Sequence, residues 1–132
     1  ALTKLYELRD YIASLFINYD FIATPTSAFT ANKCDEKHIV ENGKLKIVKM
    51  TKEDKFIEND MDYSSWNFAC KQFTALFNWS GNPGASIPSG FTKYNMPVGL
   101  QIVGAKENEV GVLQASRVFE LEKPWQNKRP II

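Results

Sequence analysis

The chain has 132 residues, and its sixteen basic side chains nearly cancel its fifteen acidic ones to leave a formal net charge of +1, which offers no electrostatic grip on nucleic acid or on an anionic membrane. Three tryptophans, five tyrosines and nine phenylalanines favour a packed globular body over a disordered chain, and the length suits one domain that buries roughly two-thirds of its unfolded surface. No apolar run approaches the roughly twenty residues that span a bilayer, and no basic-then-apolar leader opens the chain, so a cytoplasmic protein with no membrane partner is expected.

The first element is an amphipathic helix. From Thr3 to Asn18 the apolar residues Leu5, Leu8, Tyr11, Ile12, Leu15 and Phe16 recur at three and four, with Thr3 as its N-cap. Phe21-Ile22-Ala23 then reads as a short buried strand that Pro25 ends. The composition turns polar from Ser27 to Lys37. Beyond it, Asn42-Gly43 stands between two β-prone runs, the strongest hairpin signal in the chain because both residues take positive φ. Lysines alternate there with Leu45 and Ile47, so the hairpin, around residues 37–50, reads as a surface excursion with one wet face. A mixed-charge run follows from Lys49 to Asp62.

The second half is denser. Trp66, Phe68, Ala69, Phe73, Leu76 and Phe77 follow a helical pattern that Gly81 and Pro83 close. The small residues Gly84, Ala85 and Ser86 begin a strand that other backbone approaches closely. After the turn at Thr92–Met96, residues 97–104 read as a buried strand with Val98, Leu100 and Ile102 alternating along it. The last helix runs from about Glu109 to Leu121, with Val110, Leu113, Val118 and Phe119 as its inner face, and Pro124 ends it.

The two cysteines, Cys34 and Cys70, carry no disulfide spacing and read as free thiols. Cys34 and His38 are four apart, but Asp35-Glu36-Lys37 between them gives no apolar helical face, and a structural zinc wants four ligands where this chain offers one histidine and two cysteines. No metal and no cofactor is expected.

The run from Phe73 to Glu120, with Pro124-Trp125 just after it, resembles the C-terminal part of the amidase signature family. That family shows an aromatic helix ending in Phe-Asn, a Thr-Gly-x-Pro-Ala turn, a strand through Pro-x-Gly-Phe and a Gly-Leu-Pro-Val-Gly-Leu-Gln-Ile-Val-Gly strand, followed by a helix ending in Phe-Glu. Tyr19-Asp20 through Pro25-Thr26 is similar to the family's Tyr-Asp-x-x-x-x-Pro-Thr strand. Ser80 stands where threonine is usual, Gly84 where alanine is usual, and Asn95-Met96 where Gly-Leu is usual. The resemblance implies an α/β fold in which residues 1–132 are the C-terminal portion of a large mixed β-sheet covered by helices. It also implies an amide-bond hydrolase acting on a small-molecule amide. In the family a Gly/Ser-rich segment contributes a serine nucleophile, a second serine and a lysine base. No glycine-rich loop with a serine and a lysine partner occurs in these 132 residues, so the chain is expected to supply strands and pocket wall but no catalytic residue, and to be inactive alone.

Several residues carry two readings. Trp66, Phe73 and Phe77 form one helical stripe, which packs a core or, as the resemblance implies, lines the acyl pocket. Thr24, Pro25 and Thr26 are a strand terminus with local hydroxyl bonds or part of the pocket wall. Asn78 caps backbone groups or reaches substrate. The candidate substrate-binding set is therefore Thr24, Pro25, Thr26, Phe73, Phe77 and Asn78. Two alternatives stand beside the hydrolase: an amidotransferase subunit of the same family, and a non-catalytic module that binds a partner through an open sheet edge. A homodimer is compatible with either.

Overall fold

The computed structural model describes residues 2–31, 33, 35–42, 44–49 and 65–129, with the side chains of 37–41, 45 and 65–70 excepted. Cys34, Gly43 and residues 50–62 of the mixed-charge run lie outside the described residues, as do the side chains of His38, Trp66, Phe68, Ala69 and Cys70.

Three strands form one antiparallel sheet. Strand β1 spans Phe21–Pro25, β4 spans Gly84–Phe91 and β5 spans Pro97–Gly104, in the order β1-β5-β4. The central strand is therefore the last of the three in sequence. Its register sets Ile22, Val103 and Gly84 side by side, then Thr24, Gln101 and Ser86. Successive strand residues point to opposite faces, so these six share one face, while Ala23, Ala85 and Ile102 share the other. Strands β2 (Glu36–Glu41) and β3 (Lys44–Lys49) make a separate two-stranded sheet, in which Glu36 pairs with Lys49 and Glu41 with Lys44. Asn42 at its turn has φ 51°, the positive φ that the hairpin requires.

Helices cover both faces of the larger sheet. Helix α1 (Leu2–Leu15) and helix α2 (Ser65–Ser80) lie on one side, where Ile12, Phe77 and Val103 form the core and Leu8, Leu15, Phe16, Ile22 and Leu76 pack around them. The first helix already includes Leu2, so Thr3 sits within the first turn and is not its N-cap. Its far end is shorter than the periodicity implies: after Leu15 the chain tightens into i to i−3 hydrogen bonds from Phe16, Ile17 and Asn18 before reversing into β1. Tyr11, expected on the apolar face, is exposed.

Helix α2 ends where Gly81, at φ +78°, donates its N–H to the Phe77 carbonyl at 2.9 Å. A left-handed glycine after the last turn is how many helices stop. The next turn is laced to the sheet: Asn82 Nδ2 donates to the Gly104 carbonyl at 2.9 Å, and the Gly104 N–H donates to the Pro83 carbonyl at 3.0 Å.

Helix α3 (Glu109–Glu122) covers the opposite face. Asn108 caps it, its Oδ1 accepting from the Gly111 N–H at 3.2 Å. The expected inner face is corrected here, because Val110, Leu113 and Val118 are exposed and Val112 is buried. Gly104 explains the rotation: it has no side chain, and Val112 fills the space so closely that a Cβ at 104 would lie 2.8 Å from Val112 Cγ2. Ala115, Ser116 and Phe119 then follow Val112 inward.

Val103 is fully buried and Leu113 is two-thirds exposed, so alanine at the two sites separates core from surface. In this chain Val103→Ala is expected to lower unfolding free energy by about 2–3 kcal/mol, and Leu113→Ala to stay within about 0.5 kcal/mol, read from urea denaturation midpoints.

Candidate functional site

The sheet face that packs on α1 and α2 changes character along β5. At Val103 it is dry core. Two residues back, Gln101 is only 6 % exposed and spends both protons of its amide: Nε2 donates to Thr24 Oγ1 at 3.0 Å and to the Phe73 carbonyl at 3.1 Å. A buried amide must find such partners or lose several kcal/mol of hydration. Gln101 therefore fixes α2 against the sheet at one height.

Two residues further back is Gly99, and here the face opens. Thr26, just past β1, donates its backbone N–H to the Gly99 carbonyl at 3.0 Å, while its hydroxyl meets that of Ser86, from β4, at 2.6 Å. The two hydroxyls close over a strand position that lacks a side chain. Beside them is a cavity of about 440 Å³, with Thr26, Phe29, Ser86, Ile87 and Val98 among its lining residues and Gly99 on its wall. Its size falls within the range of small-molecule sites, about 300–1,000 Å³.

The candidate residues distribute unevenly around this feature. Thr24 and Thr26 share the inner face, and of the six candidates Thr26 lines the cavity. Pro25 is exposed and belongs to the other face. Phe73 is half-buried and contributes its backbone carbonyl to Gln101. Phe77 is 5 % exposed and packs with Ile12 and Val103. Asn78 is exposed, and the asparagine that ties down the turn after α2 is Asn82, whose Oδ1 accepts from Ser80 Oγ at 2.6 Å. Gln101, Ser86 and Gly99 complete the arrangement and were absent from the sequence-based set. A glutamine and a glycine interrupting an apolar strand are the signals that point to them.

Charge plays little part here. Glu120, whose carboxyl the Arg117 guanidinium and the Gln126 amide hold below the usual carboxylate range, is on α3. Among the described residues no group of three or more histidine, cysteine, aspartate or glutamate side chains is placed to hold a metal ion, and no helix is long and apolar enough to cross a membrane.

Comparison with known proteins gives a consistent family. The family model described as Amidase matches residues 1–113. A glutamyl-tRNA(Gln) amidotransferase subunit from Thermodesulfovibrio yellowstonii is 31 % identical over 125 residues, covering 95 % of this chain and 21 % of that protein. An acylamidase from Rhodococcus erythropolis is 40 % identical over 58 residues, covering 44 % of this chain and 12 % of that protein. Among solved structures, a bacterial aryl acylamidase of the amidase signature family superposes with a TM-score of 0.66 at 24 % identity, over 96 % of this chain and 24 % of the other. A 6-aminohexanoate cyclic dimer hydrolase superposes with a TM-score of 0.68 at 23 % identity, over 97 % of this chain and 24 % of the other. The chain thus spans about a fifth of the length of the Thermodesulfovibrio yellowstonii protein.

A side chain at Gly99 has no room, since its Cβ would lie 2.6 Å from Thr26 Oγ1, 2.9 Å from Thr26 Cβ and 3.0 Å from Ser86 Oγ. Gly99→Ala is expected to push the hydroxyl pair apart and to cost about 1–3 kcal/mol of stability. Thermal denaturation gives the cost, and a loss of the amide NMR shifts native to Thr26 and Ser86 localises it.

Proposed function

The chain belongs to the amidase family, and from that premise we propose that it is the C-terminal part of an amide-bond hydrolase, supplying core strands and one wall of the substrate pocket. The observation that carries the reading is the family match across residues 1–113. The substrate class is a small-molecule amide, and the hollow beside Thr26 and Ser86 is the part of the described surface suited to hold its acyl side.

The chemistry divides accordingly. Hydrolysis of an amide needs a nucleophile and a base within hydrogen-bond reach of each other. In this chain the hydroxyls of Ser14, Ser89 and Ser116 donate to backbone carbonyls. Ser27 accepts from a backbone N–H, Ser80 engages Phe77 and Asn82, and Ser86 engages Thr26. These partners support a role as wall, with the serines and lysine of the family's Gly/Ser-rich segment as the reacting groups. The 132-residue chain alone is expected to hydrolyse no amide or ester above the uncatalysed rate. Turnover by a pure sample that disappears with a serine substitution inside this chain would overturn that expectation.

A second reading is favoured by one finding, the 31 % identity to a glutamyl-tRNA(Gln) amidotransferase subunit over 95 % of the chain. The readings separate in the full-length protein. A hydrolase releases amine from a hexanoyl anilide with no tRNA present, whereas an amidotransferase forms amidated product on glutamyl-tRNA.

Phe73 provides the test of the wall itself. If its ring faces the acyl group, Phe73→Ala in the full-length enzyme shifts preference toward bulkier acyl amides by roughly ten- to a hundredfold in kcat/KM ratio. If the ring only packs, the ratio holds while stability falls by about 3–5 kcal/mol. Measuring kcat/KM for a short and a long acyl amide beside the denaturation midpoint decides between them.

A further inference from the structure

A second cavity lies at the other end of β5 from the Gly99 hollow, near Gly104. The two glycines stand about 16 Å apart along the strand, at roughly 3.3 Å per residue. This cavity measures about 110 Å³ and is lined by Arg9, Ala13, Phe16, Asn82, Ala105 and Lys106, so α1, the turn after α2 and the segment after β5 all contribute. It is well below the roughly 300–1,000 Å³ of small-molecule sites and suits a single functional group.

Its polar side chains offer protons. Arg9 Nε donates to the Trp79 carbonyl at 3.3 Å, and the guanidinium carbon lies 6.0 Å from the centre of the Tyr6 ring. The other guanidinium N–H groups have no hydrogen-bond partner among the described residues. Lys106 runs its stem past Gly81, where a Cβ would lie 3.9 Å from Lys106 Cε, and its ammonium meets no carboxylate among the described residues. Asn82 Nδ2 gives one proton to the Gly104 carbonyl at 2.9 Å and keeps a second, while its Oδ1 already accepts from Ser80 Oγ. No described lining residue is acidic.

Helix α2 ends beside these cations, and the carboxyl end of a helix carries about half a unit of negative charge. Two full positive charges exceed it. We propose that Arg9, Lys106 and Asn82 form a binding site for one phosphate-type dianion, held by charge-assisted hydrogen bonds from all three side chains. Two cations match a dianion better than a single carboxylate. Arg9 and Asn82 are half-buried and Lys106 is exposed, so the site stays wet, its affinity is modest, and added salt weakens it. The site is separate from the acyl hollow and does not depend on the hydrolase reading.

The test titrates inorganic phosphate into the 132-residue chain against sodium chloride at equal ionic strength, following amide NMR shifts and the thermal midpoint. Phosphate is expected to move the Asn82, Ala105 and Lys106 amides saturably where chloride does not, and to raise the midpoint, since a ligand held only by the folded state stabilises it. Acetate should bind more weakly. Lys106→Gln and Arg9→Gln should each weaken phosphate about fivefold, the upper end for one partly exposed ion pair. Lys106→Arg, which keeps the charge, should stay close to the parent chain. Arg9→Gln also gives up the Trp79 contact, so its midpoint is read with and without phosphate; Lys106 is exposed, and its glutamine variant is expected to fold as the parent does. Glycerol phosphate shows the source: binding as tight as inorganic phosphate assigns a phosphate carried on a larger molecule, and exclusion assigns the free ion. Equal effects of phosphate and chloride, shifts confined to other residues, or unchanged phosphate affinity in both glutamine variants would overturn the proposal and leave the two cations as caps of α2 alone.

Discussion

Gly104 closes the central strand with no side chain, and three parts of the chain meet on it. Val112 of α3 occupies the place of its Cβ, its N–H donates to the Pro83 carbonyl, and its carbonyl accepts from Asn82. Any larger residue would drive α3 off the sheet, and with it the cover over Ile102. The strand is central, so both of its faces must be dry at this end. Val103 is fully buried beneath α1 and α2, and Ile102 is nearly so on the other face. The turn after α2 and the start of α3 are thus held by one position whose contribution is the absence of a side chain.

The same device produces the opposite result at the other end of β5. At Gly99 two hydroxyls, that of Ser86 on β4 and that of Thr26 just past β1, lean over the space instead. A hydroxyl pair does not seal a hollow as a valine does. The strand is consequently graded, dry core at Val103 and Gly104 and an open, weakly polar hollow at Gly99. A binding wall has the same requirement, a rigid floor continuous with a packed core.

Much of this architecture was legible because glycine and proline punctuate it. Pro97 and Gly104 bound β5, Gly84 opens β4, and Gly81 stops α2, each where sequence reasoning set them. Asn95, standing where the family usually has glycine, takes φ 64° in the turn between β4 and β5, one of the few residue types able to do so. Strand β1 ran further than expected, through Pro25. On an edge strand a proline costs little, because its missing N–H faces away from the ladder. The face of α3 was misread for a different reason: Val110, Leu113 and Val118 make as good an apolar stripe as Val112, Ala115 and Phe119, and periodicity alone cannot choose between them. Ser86 was invisible as a site residue because its partner, Thr26, is sixty positions away and meets it through the register of two other strand pairings.

Gln101 shows why a polar residue persists in so buried a place. Replacing it with leucine would add apolar contact, yet it would also strip Thr24 Oγ1 of a donor and cut the link from the sheet to the Phe73 carbonyl, which as part of helix α2 keeps its helical bond. A net hydrogen bond is worth only about 1 kcal/mol, while a buried polar group left unpaired costs about 1–3 kcal/mol. The asymmetry makes the contact directional where hydrophobic packing is not. The amide favours one height, at which its two protons both find oxygen, and it does so midway along α2 as Asn82 does at the helix's end. Since Phe73 rides on that helix and Thr24 on the neighbouring strand, the position of any wall they form is set by a residue that itself faces no ligand.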